Sequence, residues 1–232
     1  MTTFVLVHGA WHGGWCWARV RTRLFRMGHE VFTPTLTGLG ERSHLLDKNV
    51  DLDTHVEDIL GVFRWEGLDD VVLCGHSYGG LPVTVVAERL PEKIRSLVYL
   101  DAHVPEDGKS MADYVNAERR AALQEAKAKG IESPLPPLSA EHFNVNPADR
   151  GWVDAMCTPQ PRKTYETRIE ITGTTIEKRT YIRAAGYPSP FFDAAQARCA
   201  AQPGFVTRRL ACGHDAMVDD PDGVVDLLIE AS

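Results

Sequence analysis

Short apolar runs, each too brief for a helix and most of them followed by a segment with helical spacing, restrict what this chain can become. Phe4-Val5-Leu6-Val7 ends at His8-Gly9, Val71-Val72-Leu73-Cys74 ends at a glycine, and Ile94 to Leu100 ends at Asp101. None alternates with polar residues, the pattern expected of strands covered on both faces. Glu30-Val31-Phe32-Thr33, closed by Pro34, reads as a further strand, and strands resume at Arg179 to Ala184 and Gly204 to Leu210. Between them lie helical segments: Trp15 to Met27 stopping at Gly28, Thr54 to Trp65 with Asp53 as its N-cap, and Gly79 to Leu90 ending before Pro91. A last helix covers Val224 to Glu230. The alternation predicts a mostly parallel sheet of about six strands flanked by helices.

The alternation breaks after the fourth strand. From about Val104 to Lys178 the chain holds Pro134, Pro136, Pro137, Pro147, Pro159 and Pro161, a charged helix-like segment from Ala112 to Lys129, and little strand signal. This divides the chain into a core of residues 1–103 and 179–232 and a cap, or lid insertion, of residues 104–178. The cap is expected over the carboxyl ends of the strands, where open α/β sheets bind ligands. With 232 residues, 44% of them hydrophobic, one large domain is expected.

A net charge of −7 repels nucleic-acid phosphates and anionic membrane surfaces, so neither is an expected partner. The five cysteines form no CxxC pair, which fits free thiols in a reducing cytoplasm. No basic leader precedes the first apolar run, and no stretch has the length of a membrane span. A cytoplasmic protein is expected. Pairing of two copies through the insertion is compatible with the sequence.

Gly75-His76-Ser77-Tyr78-Gly79 is a G-x-S-x-G pentapeptide with an apolar strand directly before it and a helix directly after. In that context the glycines permit a tight turn that lifts the serine hydroxyl above the sheet, at a helix N-terminus that favours negative charge. Nucleotide-binding loops are excluded, because neither G-x-x-x-x-G-K-[ST] nor G-x-G-x-x-G is present. Ser77 is therefore the candidate nucleophile. A serine needs a base, and in this architecture the base follows the last strand. Of nine histidines, His214 alone has that position, after Leu210-Ala211-Cys212-Gly213. The backbone N–H groups of Tyr78 and Ala10 are the candidate oxyanion donors, the latter from the loop His8 to Gly14.

The segments His8 to Trp17, the pentapeptide, Pro91 to Ile94, Gly213-His214-Asp215-Ala216-Met217 and Met156-Cys157-Thr158-Pro159 resemble the plant methylesterase and hydroxynitrile lyase group of the α/β-hydrolase superfamily. The salicylate-binding methylesterase and its bacterial esterase relatives are especially similar, and the likeness runs nearly end to end. It implies the α/β-hydrolase fold and cleavage of a small carboxylic ester or lactone. In that group the acid partner of the histidine lies in the loop after the penultimate strand. Here that loop, Ala184 to Pro190, holds no carboxylate, and Gly186 stands at the expected place. Two candidates remain. Asp101, directly after the fourth strand, matches the acid position that some lipases and haloalkane dehalogenases resemble. Asp193 stands at the start of the next helix, where it would equally serve as an N-cap.

Candidate pocket residues are Trp11, His12, Tyr78, Phe143, Trp152, Met156 and Tyr187, under a roof formed by the insertion and the loop Gly38 to Leu46. Lys178, Arg179 and Arg183 read as a solvated face. No metal and no organic cofactor is implied. A hydroxynitrile lyase is disfavoured, because lyases of the group resemble one another in a threonine and a lysine where this chain has Ala10 and Asp215. A ligand-binding protein on an inactive hydrolase scaffold is the remaining alternative, kept open by Gly186.

Overall fold

The computed structural model describes residues 1–232. The chain runs β1 (Thr3–Val7), α1 (Ala18–Arg26), β2 (Glu30–Phe32), α2 (Leu52–Trp65), β3 (Val71–His76), α3 (Gly80–Arg89) and β4 (Ile94–Leu100). Three short helices follow, α4 (Ala117–Ala128), α5 (Arg150–Met156) and α6 (Lys163–Glu166). The sheet resumes with β5 (Arg179–Ala184), α7 (Pro190–Ala200) and β6 (Phe205–Leu210), and the chain closes with α8 (Ala216–Asp219) and α9 (Pro221–Glu230).

The strands form one sheet in the order β2-β1-β3-β4-β5-β6, and every pairing is parallel. The chain steps outward from β1 to β2 and then returns past β1 to β3. Right-handed crossovers therefore put α1 on one face and α3 on the other. α9 packs against α1, and α2 against α3, so both faces are covered. Every residue of β3 is buried, as the unbroken apolar run requires. The reversal between β1 and β3 opens a crevice at their carboxyl ends, the usual ligand position in such sheets.

Several boundaries differ from expectation, for local reasons. α2 begins at Leu52, not Thr54, because Asp51 rather than Asp53 is its N-cap. The Asp51 carboxylate accepts the Thr54 N–H at 2.9 Å, and the Thr54 hydroxyl accepts the Asp51 N–H in return. α4 starts five residues later than the charged segment suggested, at Ala117, where Asn116 caps it. Ser189, not Asp193, caps α7. Residues 101–178 connect β4 to β5 through α4–α6 and a single antiparallel bridge between Leu135 and Gln160. No helix is long and apolar enough to cross a membrane.

Candidate active site

The turn between β3 and α3 carries Ser77 with φ +53°, in the left-handed region. Glycine is required on either side. A Cβ on Gly75 would lie 2.6 Å from the Gly79 carbonyl oxygen, and one on Gly79 would lie 2.7 Å from that of His8. Trp11, after β1, and Asp101, after β4, share the left-handed conformation, with φ +66° and +42°. Such strain is held only where the surroundings over-determine it, and here it gathers along the carboxyl edge of the sheet.

Three residues distant in sequence meet above that edge. His214 Nε2 is 2.9 Å from Ser77 Oγ, and His214 Nδ1 is 2.7 Å from Asp101 Oδ2. His214 is held on other sides too. Its N–H donates to the Phe143 carbonyl at 2.9 Å, and its own carbonyl accepts from His76 Nε2 at 3.0 Å. Phe192 stacks on the imidazole at 5.0 Å, with Phe143 and Tyr187 each 5.1 Å away. Asp101 and His214 are buried, while Ser77 is partly open. An imidazole fixed between a carboxylate and a hydroxyl in this way can draw the hydroxyl proton.

The second oxygen of Asp101 is also engaged. Oδ1 accepts from Arg183 Nη1 at 2.8 Å and from the Ala184 N–H at 3.1 Å. Arg183, expected on a solvated face, is only 1% exposed, because its alternation along β5 turns it inward toward Asp101. Its remaining donors go to Asp193 Oδ1 (2.9 Å) and to the carbonyls of Ala184 (2.5 Å) and Tyr187 (2.7 Å). Burial disfavours its charge, but Asp101 and Asp193 outweigh that and hold it protonated. Asp193 thus faces Arg183 and not His214. Gly186 cannot hold a carboxylate in this backbone: a Cβ there would lie 2.5 Å from the Cys212 carbonyl oxygen.

Beneath this arrangement lies a second buried pair. His12 Nε2 donates to Asp215 Oδ2 at 3.0 Å, and His12 Nδ1 to the Ala10 carbonyl at 2.8 Å. Burial works against the His12 charge, yet Asp215 raises its pKa overall. Burial likewise opposes the Asp215 charge, but His12, His76 and His214 hold the carboxyl well below the usual range. His76, His214 and Asp215 offer donor atoms within 4.8 Å of one another, as a metal site would require. Both His214 nitrogens are already engaged by Asp101 and Ser77, so the cluster is a hydrogen-bonded one.

Ser77 and His214 open into a cavity of about 410 Å³ whose walls include Trp11, Met111, Phe143, Tyr165, Tyr187 and Phe192. Of the residues expected to line a pocket, Trp11, Phe143 and Tyr187 do so. His12 does not, being buried in the pair with Asp215. Tyr78 is fully buried beside the cavity, its hydroxyl 2.9 Å from His55 Nδ1. Trp152 lies outside, because α5 lays it edge-on against Trp15 at 5.1 Å with Arg19 over its face. Met156, 38% exposed, also lies outside. The loop Gly38 to Leu46 contributes no wall. It is tied instead to the chain after α5, where the Gly40 N–H donates to Thr158 Oγ1 at 2.9 Å. Arg183, Phe192 and His103 were missed. His103 lines the cavity, and burial lowers its pKa to about 3, leaving it neutral.

Known proteins share this organisation. The chain is 45% identical to a carbendazim hydrolyzing esterase of Nocardioides sp. (strain SG-4G), with 98% of both chains covered. It is 37% identical to methylesterase 4 of Arabidopsis thaliana over 114 residues, which cover 48% of this chain and 43% of that one. An extracellular α/β-hydrolase from a Paenibacillus species superposes with a TM-score of 0.84 at 24% identity, covering 100% and 99% of the two chains. The sequence pattern described as the alpha/beta hydrolase family matches residues 4–227. With the parallel sheet and the serine turn already in view, the conclusion is that this chain belongs to the α/β hydrolase family.

Proposed function

We propose that this protein is a serine carboxylesterase that cleaves small, largely apolar esters through an acyl-enzyme on Ser77. The observation that carries this reading is the continuous contact Ser77–His214–Asp101, at 2.9 and 2.7 Å, opening into an aromatic cavity. Ser77 Oγ attacks the ester carbonyl carbon as His214 Nε2 takes its proton. The tetrahedral oxyanion accepts hydrogen bonds from the backbone N–H groups of Ala10 and Tyr78, a contribution of about 3 kcal/mol for each donor in comparable sites. His214 then gives its proton to the departing alkoxide oxygen, releasing the alcohol. Water, deprotonated by the same imidazole, attacks the acyl carbon and frees the acid. Asp101 orients the imidazole and stabilises its charged form. Residues 104–178 act as the cap, since Met111, Tyr114, Phe143 and Tyr165 from that stretch face the cavity.

The test is direct. A fluorophosphonate should label Ser77 stoichiometrically, and p-nitrophenyl acetate should give a burst of nitrophenol. Carbendazim, named for the Nocardioides relative, and simple methyl esters of aromatic acids are the first compounds to compare. A wild-type protein that neither labels nor turns over any ester would overturn the reading.

A further inference from the structure

We propose that Arg183 is a positioning residue for this site. It clamps one oxygen of Asp101 so that the other is presented to His214, and its charge offsets part of the carboxylate charge that His214 meets. The inference rests on the reading of Ser77, His214 and Asp101 as the catalytic set.

Geometry makes the argument. An ionised carboxylate can turn about its last bond, and two oxygens compete for any donor. Here Oδ1 is occupied twice, by Arg183 Nη1 at 2.8 Å and the Ala184 N–H at 3.1 Å, which leaves Oδ2 for His214 Nδ1 at 2.7 Å. Arg183 is itself fixed by the carbonyls of Ala184 and Tyr187 and by Asp193. The planar guanidinium fork supplies these directions at once, which an ammonium cannot do. An acid placed at the end of β4, on a backbone with φ +42°, acquires its aim from β5.

The charge has a separate consequence. The groups facing His214 are His76 from β3, Asp101 and His103 from the end of β4, and Asp215, bonded to His12 of the loop after β1. Tyr187 faces it from the loop after β5, as does His142 from the insertion, and Arg183 of β5 reaches it only through Asp101. Burial keeps His76 and His103 neutral, with His214 itself adding to the effect. The charge on Asp215 is matched by His12. Asp101 is therefore the anion that most directly favours a protonated His214, and Arg183 opposes it from within the same buried cluster. Asp193, the other partner of Arg183, is 56% exposed and screened by water. With Arg183 in place, part of the Asp101 charge that His214 Nδ1 meets is offset.

The experiment follows the acid limb of kcat/KM for an activated ester, and of Ser77 labelling by a fluorophosphonate. In Arg183→Gln the limb should move to higher pH, the direction expected when the cation offsetting the Asp101 charge is removed. In Arg183→Lys the charge remains, so the limb should stay at the parent's position while kcat falls at least tenfold from the lost fork. If Arg183→Gln does not fold, the double variant Asp101→Asn with Arg183→Gln leaves no unpaired buried charge. Its labelling limb should lie above that of Asp101→Asn alone. Coincident limbs in both comparisons, or full activity in Arg183→Lys, would overturn the inference while leaving Ser77 labelling intact. A wild type that cannot be labelled would remove the catalytic reading and this inference together.

Discussion

Asp101 Oδ2 reaches His214 Nδ1 at 2.7 Å from the carboxyl end of β4, one strand away from β3, whose end carries Ser77. Asp193, ten residues beyond Arg183, spends its carboxylate on that arginine and makes no contact with the imidazole. Asp101→Asn should therefore lower kcat by about 10⁴, the typical loss when the imidazole is left in the wrong tautomer. Asp193→Asn should stay within tenfold of the parent. Steady-state kinetics on p-nitrophenyl acetate check both, and equal activity of Asp101→Asn and the parent would remove the assignment.

Moving the acid to the place expected from the plant group should fail. At Gly186 the Cys212 carbonyl stands 2.5 Å from where a Cβ would be, so the backbone must shift to admit any side chain. Gly186→Asp should destabilise the fold by about 2 kcal/mol or more, as overpacking against fixed atoms does. Added to Asp101→Asn it should restore no activity. Urea unfolding and turnover of the double variant measure the two outcomes.

The pocket can be separated from the surface by two truncations. Phe143 lines the cavity and packs 5.1 Å from the His214 ring, whereas Trp152 lies against Trp15 and Arg19 outside it. Phe143→Ala should raise KM for an aryl ester at least tenfold, in line with roughly 1.5–3 kcal/mol of lost apolar contact. Trp152→Ala should leave KM within about twofold. A parallel rise in both would contradict the assignment of the cavity walls.

Stability should fall steeply on acidification. Burial lowers the pKa of His8 and His103 to about 3 and of His55 to about 4, and pushes His76 well down too. In the unfolded chain these histidines take up protons near pH 6.5. Below that pH the unfolded state binds more protons, so folding weakens until the folded groups also titrate. Four such groups give a slope of roughly 5 kcal/mol per pH unit. His12 has the opposite sign: its raised pKa contributes stability below about pH 6.5, lost as pH rises through its folded value. Asp215, held low, contributes above about pH 3.9 and loses that as pH falls. Urea midpoints at pH 7, 6 and 5 should drop sharply, and His103→Phe should flatten the slope by about a quarter. A midpoint constant over that range would contradict the account.

Much of the fold was legible because β1, β3 and β4 each carry an apolar run with no polar alternation, the pattern of a strand covered on both faces. The turn at Ser77 was legible for a related reason, since Gly75 and Gly79 have no room for a Cβ. Cap positions were harder. Asp51 and Asp53 stand two residues apart, and it is the Thr54 hydroxyl, bonding back to Asp51, that selects between them. Arg183 was misread because charge near other charges in sequence suggests solvent, while its buried partner Asp101 lies 82 positions away. Trp152 was misplaced because side-chain direction on a short helix depends on which neighbour, here Trp15, the helix meets.

Placing the carboxylate at the end of β4 leaves the stretch between β5 and α7 with a different task. That stretch offers Tyr187 and Ser189 to the cavity, but the carboxylate that meets His214 lies elsewhere. What Arg183 takes from it is one main-chain carbonyl, that of Tyr187, which any residue can provide. On the proposed reading, side chains there other than at Gly186, which has no room for a Cβ, and Tyr187, which packs on His214, can be exchanged to admit other acyl or alcohol groups while Ser77, His214 and Asp101 keep their places. On that reading, recognition and chemistry are divided between neighbouring strands.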